Sequence, residues 1–445
     1  MTHDGETPVS FEGQYSPDVM SQQALGYLDD AVSHSEPFFI AVAPVAPHSN
    51  MGSGGIKHSD LPRYAERHAG LFTDYQIPRT ANFNPDVPSG VSWVRELPKL
   101  NQTLLDYHDE FQRSRLRALQ SVDEMIAALV ESLEKKNLLD NTYVIYTTDN
   151  GYHISQHRLP PGKECPFEED IHIPLMIRGP GVPRGSTAGV VSSHTDLTPT
   201  ILKLATGGVE RPDLDGSPVP LSAESLANPA SSNEHVNVEF WGTSFLEGKY
   251  GSPFSNDSGT SNNTYKALRL IGAHYNLLYT VWCSGEREFY DVARDPAQMQ
   301  NYFDPDHTAL QIHYSLLGRS FKHVTNRLDA LLMVTKSCKG QACREPWGTL
   351  HPGGDDVVTS LAGALHGKFD AFYESQPRVS FNSCVKGHVV SEEGPQDVRP
   401  WSGGEKDGKF TAGYAGLSDS QQGPLLPGTA KRASFERSGR WSDWT

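Results

Sequence analysis

The chain has 445 residues, of which 37% are hydrophobic, so it is long enough to bury a sizeable core and to form more than one domain. Lys and Arg total 38 against 54 Asp and Glu, and the resulting net charge of -16 argues against nucleic acid as a partner. The sequence has no uninterrupted apolar run of about 18 residues, so we expect no membrane-spanning helix.

The first part of the chain predicts a helix, a strand and a long irregular segment. Ser16-Pro17-Asp18 is a typical helix start, and the apolar spacing after it predicts an amphipathic helix over Tyr15–Val32. Residues Pro37–Ala43 form a continuous apolar run that predicts a strand, and His48 follows shortly after its end. Residues 50–101 are rich in Gly and Pro, and we expect them to cross the surface as loop.

The middle of the chain has the clearest periodicity. Apolar residues step by three and four between Leu104 and Glu134 and predict a long amphipathic helix. It leads into a β-branched run, Thr142–Thr148, that predicts a strand, and a second apolar run, Ile171–Ile177, returns the chain to the core. A short helix is expected over Thr200–Ala205. This order is typical of an α/β fold with a parallel sheet covered by helices.

The second half of the chain predicts a smaller unit with a different architecture. Three short β-rich runs, His235–Trp241, Thr264–Ile271 and Asn276–Cys283, favour an antiparallel sheet. Helical spacing over Thr308–Lys336 predicts a helix that packs on this sheet. Residues 391–445 are rich in Gly, Ser, Asp and Lys without a sustained period, so we expect a disordered tail.

Two hard oxygen donors follow the Thr142–Thr148 strand. Asp149 and Asn150 stand at its carboxyl end, which is where open α/β sheets place their sites. Carboxylate and amide oxygens suit Ca²⁺ or Mg²⁺ better than a thiophilic metal. Asp149-Asn150-Gly151 is also a tight-turn sequence, so a simple turn is the alternative interpretation.

Basic residues near these donors are candidates for contact with an anion. Lys163 follows the rigid turn Pro160-Pro161-Gly162, although a lone loop lysine is more often a solvated charge. An imidazole is in general suited to proton transfer near neutral pH, so His48 is a second candidate, although a histidine after a strand is more often structural. His153 and His157 are four residues apart, as in helical metal pairs, but the Glu of a zinc-hydrolase motif is missing.

Several segments together resemble the sulfatase family, and most of all its fungal arylsulfatases and N-acetylglucosamine-6-sulfatases. The matching segments are TTDNGYH (147–153), KECPFE (163–168), IPLMIRGPG (173–181), FFIAVAPVAPH (38–48) and REFYDVARDP (287–296). The resemblance implies an alkaline-phosphatase-like sulfatase fold, with an incomplete mixed sheet flanked by helices in residues 1–230. It also implies a smaller C-terminal α+β subdomain, an antiparallel sheet plus helix, in residues 231–390, before the tail over residues 391–445.

The same resemblance assigns roles to the candidate residues. It implies that Asp149 and Asn150 bind a divalent metal, usually Ca²⁺ and alternatively Mg²⁺. It implies that Lys163 and His48 are catalytic and that His153 contacts the substrate, a small-molecule sulfate ester. The family also implies secretion or a lysosomal or vacuolar location.

The family's nucleophile has no match in this sequence. Sulfatases make it from a Cys or Ser in C-x-P-S-R or C-x-A-S-R, which is oxidised to formylglycine. Cys283 begins the nearest approach, CSGER, but Gly replaces Pro and Glu replaces Ser. The family's paired aspartates are also unmatched, because Asp29-Asp30 ends a predicted helix. We therefore expect an N-terminally truncated copy that is inactive by itself. A pseudoenzyme and a related metal-dependent phosphatase or phosphodiesterase are the alternatives.

Glycosylation sequons and cysteines bear on export. Asn101, Asn256 and Asn262 begin N-x-S/T sequons and agree with a glycoprotein, whereas the first ten residues have no apolar core of a signal peptide. The number of cysteines is five, which permits disulfides among the later ones and leaves one thiol over. The sequence does not define an oligomeric state.

Overall fold

The computed structural model describes residues 7–51, 59–227, 233–242, 247–249, 263–353, 356–385 and 387–403. The helices are α1 (Ser16–Ser33), α2 (Ser92–Arg95), α3 (Gln102–Lys135), α4 (Glu168–Ile171), α5 (Leu197–Ala205), α6 (Ala223–Ala227), α7 (Thr308–His313), α8 (Phe321–Thr335), α9 (Gln341–Arg344), α10 (Pro346–Leu350), α11 (Leu361–Ala364) and α12 (Asp370–Glu374). The strands are β1 (Asn50–Met51), β2 (Ser59–Asp60), β3 (Val144–Thr147), β4 (Leu175–Arg178), β5 (His235–Phe240), β6 (Tyr265–Gly272), β7 (Tyr275–Trp282), β8 (Arg287–Asp291), β9 (Ser315–Leu316) and β10 (Arg319–Ser320). The sequons at Asn256 and Asn262 lie outside the described residues.

The two long helices, α1 and α3, pack against each other and confirm the helices predicted in the first half of the chain. The side chain of Asn101 caps α3 by accepting a hydrogen bond from the Leu104 amide at 3.1 Å. The predicted apolar stripe of α3 consists of Leu119, Val122, Ile126, Leu129 and Leu133. Val122 and Leu133 are buried, and the other three are partly buried. In the part of the chain that the structure describes, every helix is too short or too polar to cross a bilayer.

Strands β3 and β4 form an antiparallel pair, with Val144 opposite Arg178 and Thr147 opposite Leu175. This pairing differs from the parallel arrangement expected from the order of helices and strands. β4 begins later than predicted because α4 and Pro174 precede it. The strand predicted over Pro37–Ala43 is wrong, because in the described structure this run pairs with no other strand and Phe39 is 69% exposed.

The larger sheet is an antiparallel meander in the order β5-β6-β7-β8, and it confirms the antiparallel sheet predicted in the second half. The long helix predicted over Thr308–Lys336 is wrong in its first half. There the chain forms α7 and the small β9–β10 hairpin before α8 begins. Leu317 and Gly318 both have positive φ, at 49° and 77°, so this turn interrupts the helix.

Both faces of the larger sheet are buried, and each carries its own apolar cluster. Leu268 and Leu277 point to the face that α8 covers. Tyr265 and Leu278, on the opposite face, pack with Leu159, Cys165 and Phe167 from the loop between β3 and β4. The two sets alternate along the strands, as the two-residue period of a strand requires. The larger sheet is therefore the support on which the candidate site rests.

Residues 391–403, expected to belong to a disordered tail, pack on the larger sheet. The buried carboxylate of Glu393 lies 2.8 Å from both Lys266 and Lys336, and Trp401 packs on the main core. A disulfide between Cys283 and Cys384 fastens the preceding segment to β7. A composition count cannot detect such a few buried anchors, because most residues around them are polar. Residues 404–445 lie outside the described part of the chain.

The structure has two disulfides, both among the later cysteines, where the sequence permitted them without defining the pairs. Cys283 pairs with Cys384, and Cys338 pairs with Cys343. Cys165 is the remaining free thiol and is buried. Burial in an acidic neighbourhood raises the pKa of the Cys165 thiol well above its usual range, so this cysteine is an inert core residue.

Candidate functional site

Asp149 and Asn150 follow β3 directly, as the sequence predicted. Asp149 is exposed, and Asn150 is partly buried with its amide nitrogen donating to the Gly151 carbonyl at 2.6 Å. A Cβ atom at Gly151 would lie 2.0 Å from the Glu169 carbonyl oxygen, so only glycine allows the chain to pass there. The Gly151 amide donates to the Asp170 carbonyl at 2.8 Å, which ties the strand end to α4.

The segment between β3 and β4 folds back on itself as a compact loop. His153 and Gly162 exchange two backbone hydrogen bonds, at 2.9 and 3.1 Å, and so bring Lys163 beside the strand end. Phe167 is fully buried, and its ring stacks on His157 at a centroid distance of 3.9 Å. Burying a Phe side chain contributes about 1.5–3 kcal/mol, so the loop is anchored on the core although it is irregular.

Buried histidines in this loop carry structural hydrogen bonds. Burial lowers the pKa of His157 to about 3 and that of His108, which bonds to the Ser155 hydroxyl at 2.7 Å, to about 4. His153 is 1% exposed, and its Nδ1 lies 2.8 Å from both carboxylate oxygens of Asp170. Burial by itself lowers the pKa of His153, but the Asp170 carboxylate outweighs burial, and the pKa is raised.

One large open cavity of about 1480 Å³ brings three of the five predicted site residues together. Asp149, Asn150 and Lys163 line it, and its far wall includes β4 and β5. Arg269 lies on the same wall and is paired with Glu168 at 2.6 Å. Acidic and basic groups therefore share the cavity surface, and the Lys163 ammonium supplies a positive charge to the cavity that the two oxygen donors line.

Lys163 and His48 meet at a third residue, Glu247. Oxygen Oε1 of Glu247 lies 3.5 Å from the Lys163 ammonium nitrogen and 3.7 Å from Nε2 of His48. The other oxygen, Oε2, accepts from the Tyr152 hydroxyl at 2.9 Å. The Glu247 amide donates to the Pro161 carbonyl at 2.9 Å, so this residue is attached to the turn that precedes Lys163.

The carboxylate of Glu247 is charged although it is mostly buried. Burial by itself raises its pKa, but neighbouring Ser49, His48 and Lys163 outweigh burial, and the pKa is lowered. Burial and the adjacent carboxylate raise the pKa of Tyr152 well above its usual range, so the phenol stays a hydrogen-bond donor. The guanidinium of Arg115 lies over the Tyr152 ring at 3.8 Å and adds positive charge on the buried side.

The donor set at the strand end fits part of a hard-cation site. Asp149 offers a carboxylate, and the Asn150 amide nitrogen is engaged with Gly151, which leaves the amide oxygen to bind a cation. Both are oxygen ligands of the kind that Ca²⁺ and Mg²⁺ prefer. Ca²⁺ takes about 6–8 oxygens, so these two residues supply a minority of a coordination shell.

Sequence reasoning identified the strand end and Lys163 but missed Glu247 and Asp170. Asp170 follows two other acidic residues, and no spacing distinguishes it from them. Glu247 is distant from Lys163 in sequence, and the run EGKYG around it matches no motif. The predicted role of His153 in substrate contact stays a prediction. Its ring is buried against Asp170, and His153 is not among the residues that line the cavity.

Known proteins are similar to this chain over most of its length. A family model described as Sulfatase matches residues 2–208. The chain is 39% identical over 385 residues to Sulfatase ppz1 of Metarhizium majus (strain ARSEF 297), covering 86% of this chain and 80% of that protein. The chain belongs to the sulfatase family. It is also 33% identical over 413 residues to an arylsulfatase of Volvox carteri, covering 86% of this chain and 60% of that protein.

Among solved structures, the chain is similar to a protein in complex with its substrate D-glucosamine-2-N,6-O-disulfate. The TM-score is 0.51 at 21% identity, covering 67% of this chain and 67% of that chain. At this identity the likeness concerns the fold, and the chain has the predicted alkaline-phosphatase-like sulfatase fold. Sulfatases generally use a metal ion, and the relatives include extracellular sulfatases by name.

Proposed function

We propose that this protein acts on sulfate esters as an arylsulfatase-type sulfuric ester hydrolase, with Lys163 and His48 as its sulfate-facing groups. The observation that carries the proposal is the convergence of these two residues on Glu247, together with the cavity that Lys163 shares with Asp149 and Asn150. A lysine ammonium and an imidazole are donors suited to the oxygens of a sulfate group. The family membership of the chain supports the same reaction class.

The role proposed for Asp149 and Asn150 is to hold a divalent cation, with Ca²⁺ as the preferred ion. Their carboxylate and amide oxygens support this choice, since they are hard donors. A cation there supplies positive charge to the sulfate oxygens. Lys163 lines the same cavity, so it is placed to orient the sulfate beside that position.

Turnover needs a nucleophile, and the sequence has no C-x-P-S-R or C-x-A-S-R motif to form formylglycine. The formylglycine nucleophile of the reaction is therefore not assigned to a residue of this sequence, and Lys163 and His48 are proposed for sulfate-ester binding. Secretion or a lysosomal or vacuolar location is proposed as well, supported by the extracellular relatives and by the two disulfides.

The experiment is a calorimetric titration of the Ca²⁺-loaded protein with 4-nitrophenyl sulfate, in parallel with 4-nitrophenyl phosphate. Lys163→Ala is expected to weaken sulfate-ester binding by about tenfold, the value of one charge-assisted hydrogen bond. Lys135→Ala is the matched control, because Lys135 is 71% exposed and pairs with Glu131 on α3. Equal binding by Lys163→Ala contradicts the site, and a preference for the phosphate ester favours the phosphatase alternative.

A further inference from the structure

Glu247 lies deeper in the protein than its two partners, Lys163 and His48. The side chain of His48 is 39% exposed and that of Lys163 is 26% exposed, whereas that of Glu247 is 8% exposed. A ligand that arrives from solvent therefore meets the imidazole and the ammonium first. The carboxylate contacts the same two groups from the protein side.

The position of Glu247 is fixed independently of Lys163 and His48. Its amide is bonded to the Pro161 carbonyl, and its Oε2 accepts from the Tyr152 hydroxyl. Two residues further on, the Lys249 amide donates to the Tyr107 hydroxyl at 2.7 Å, which attaches this segment to α3. Gly248 has φ of 88°, and a Cβ there would lie 2.7 Å from the Tyr107 hydroxyl oxygen, so the chain passes close to the helix. The carboxylate is therefore held by rigid neighbours.

The His48 ring has a defined orientation toward this carboxylate. Its Nδ1 lies 2.9 Å from the Ser49 carbonyl oxygen, which only accepts, so Nδ1 carries a hydrogen. Nε2 is then the nitrogen that faces Glu247. A backbone carbonyl therefore fixes one ring nitrogen of His48, and the Glu247 carboxylate faces the other.

We infer that Glu247 is a positioning residue that holds Lys163 and His48 together as one sulfate-binding pair; this inference rests on the proposed function. A single carboxylate oxygen of Glu247 faces both the Lys163 ammonium and the His48 imidazole, so it draws the two side chains toward the same point. Because the distance to Lys163 exceeds that of a short hydrogen bond and an ammonium has three N–H donors, Lys163 keeps donors for an anion on its exposed side. Glu247 itself does not touch the substrate in this arrangement.

The test compares Glu247→Gln with the unaltered full chain and with Glu234→Gln. Glu234 is a buried glutamate that accepts from Tyr275, Trp347 and Leu361, away from the candidate site, and serves as the matched control. The first readout is the rate at which N-acetoxysuccinimide acylates Lys163, followed by peptide mass spectrometry, with Lys135 as the internal reference.

Glu247→Gln is expected to raise the acylation rate of Lys163 by about threefold, because the side chain is no longer held against the Glu247 carboxylate and its nitrogen meets the reagent more often. Lys135 and the Glu234→Gln protein should show unchanged rates. A merely structural role for Glu247 does not predict a change confined to Lys163. An unchanged Lys163 rate overturns the inference.

The second readout is the affinity for inorganic sulfate by calorimetry. Glu247→Gln is expected to weaken the affinity for sulfate by about fivefold, because Lys163 and His48 are no longer held together. Tighter sulfate binding overturns the inference, since it shows that Glu247 competes with the anion. If the unaltered protein binds no sulfate while Lys163 acylation still rises in Glu247→Gln, the pairing is supported and the proposed function fails.

Discussion

Asp170 joins the two ends of the loop that carries Lys163, because its carboxylate bonds to Nδ1 of His153 at 2.8 Å. Its Oδ2 also accepts from the Cys165 amide at 2.8 Å. The strand end is tied to the same residue by the hydrogen bond from the Gly151 amide. One buried residue therefore joins the strand end, through its backbone carbonyl, to the loop that carries Lys163, through its carboxylate.

Asp170→Ala is expected to reduce the free energy of unfolding by about 3–5 kcal/mol, the cost of leaving one partner of a buried charged pair alone. Asp213→Ala is the control, because Asp213 pairs with Arg211 on the surface and exposed pairs contribute about 0–1 kcal/mol. Urea unfolding of both variants measures the difference. Equal losses in the two variants contradict the assignment of Asp170.

The same pair gives a pH dependence. The pKa of His153 is raised, so the stability that its charged form contributes is present below the unfolded pKa and is lost as pH rises through the folded pKa. His153→Gln should remove this decline. Urea unfolding across neutral pH measures this. If the free energy of unfolding declines equally in His153→Gln and in the unaltered protein, His153 is not the titrating group.

Glu288 makes a second prediction about pH. It is fully buried, and burial raises its pKa from 4.5 to about 7, although Trp282 and Tyr290 donate hydrogen bonds to it. Since a pKa unit corresponds to about 1.4 kcal/mol, ionising Glu288 costs about 3 kcal/mol of stability. This loss of stability begins near 4.5, the pKa of Glu288 in the unfolded chain, and is complete above its pKa of about 7 in the folded protein.

Glu288→Gln should therefore gain stability relative to the unaltered protein as pH rises from about 4.5 to about 8. Gln retains an acceptor for the Trp282 indole, so the variant imitates the protonated carboxyl. Urea unfolding at the two pH values measures the change. A constant difference between the two proteins across this range excludes Glu288 as the titrating group.

The two disulfides should differ in their contribution to stability. The Cys283–Cys384 bond closes a separation of 101 residues, and the Cys338–Cys343 bond closes one of 5. In the chain-entropy model these loops correspond to about 4.7 and about 2 kcal/mol. The double variant Cys283→Ala/Cys384→Ala should therefore unfold at lower urea than Cys338→Ala/Cys343→Ala, and the reverse order contradicts this account.

Local patterns explain which parts of the fold were predictable from the sequence. α3 has a long apolar period and a capping Asn101, and β3 is a β-branched run that ends in Asp149-Asn150-Gly151, so both were found. The sequence did not predict the break at Leu317, because a positive φ at a leucine does not change the apolar spacing. The predicted helix therefore ran through this turn.

Long-range contacts explain what the sequence did not predict. Pro37–Ala43 has strand composition, but a strand needs a neighbour, and whether one is present depends on the rest of the fold. Glu247 and Glu393 act through lysines far away in the chain, at Lys163 and at Lys266 and Lys336. Single charged residues in polar segments carry no periodic signal, so only the structure reveals such partners.

Asp149 and Asn150 are proposed to hold a divalent cation in the cavity where Lys163 binds the sulfate group. The most direct measurement is the affinity for inorganic sulfate with and without Ca²⁺. If the two ligands bind cooperatively, each raises the affinity for the other by the same factor. We expect Ca²⁺ to tighten sulfate binding by about tenfold in the unaltered protein and to have no effect in Asp149→Ala. Sulfate binding that is the same with and without Ca²⁺, or a Ca²⁺ effect that persists in Asp149→Ala, contradicts the account.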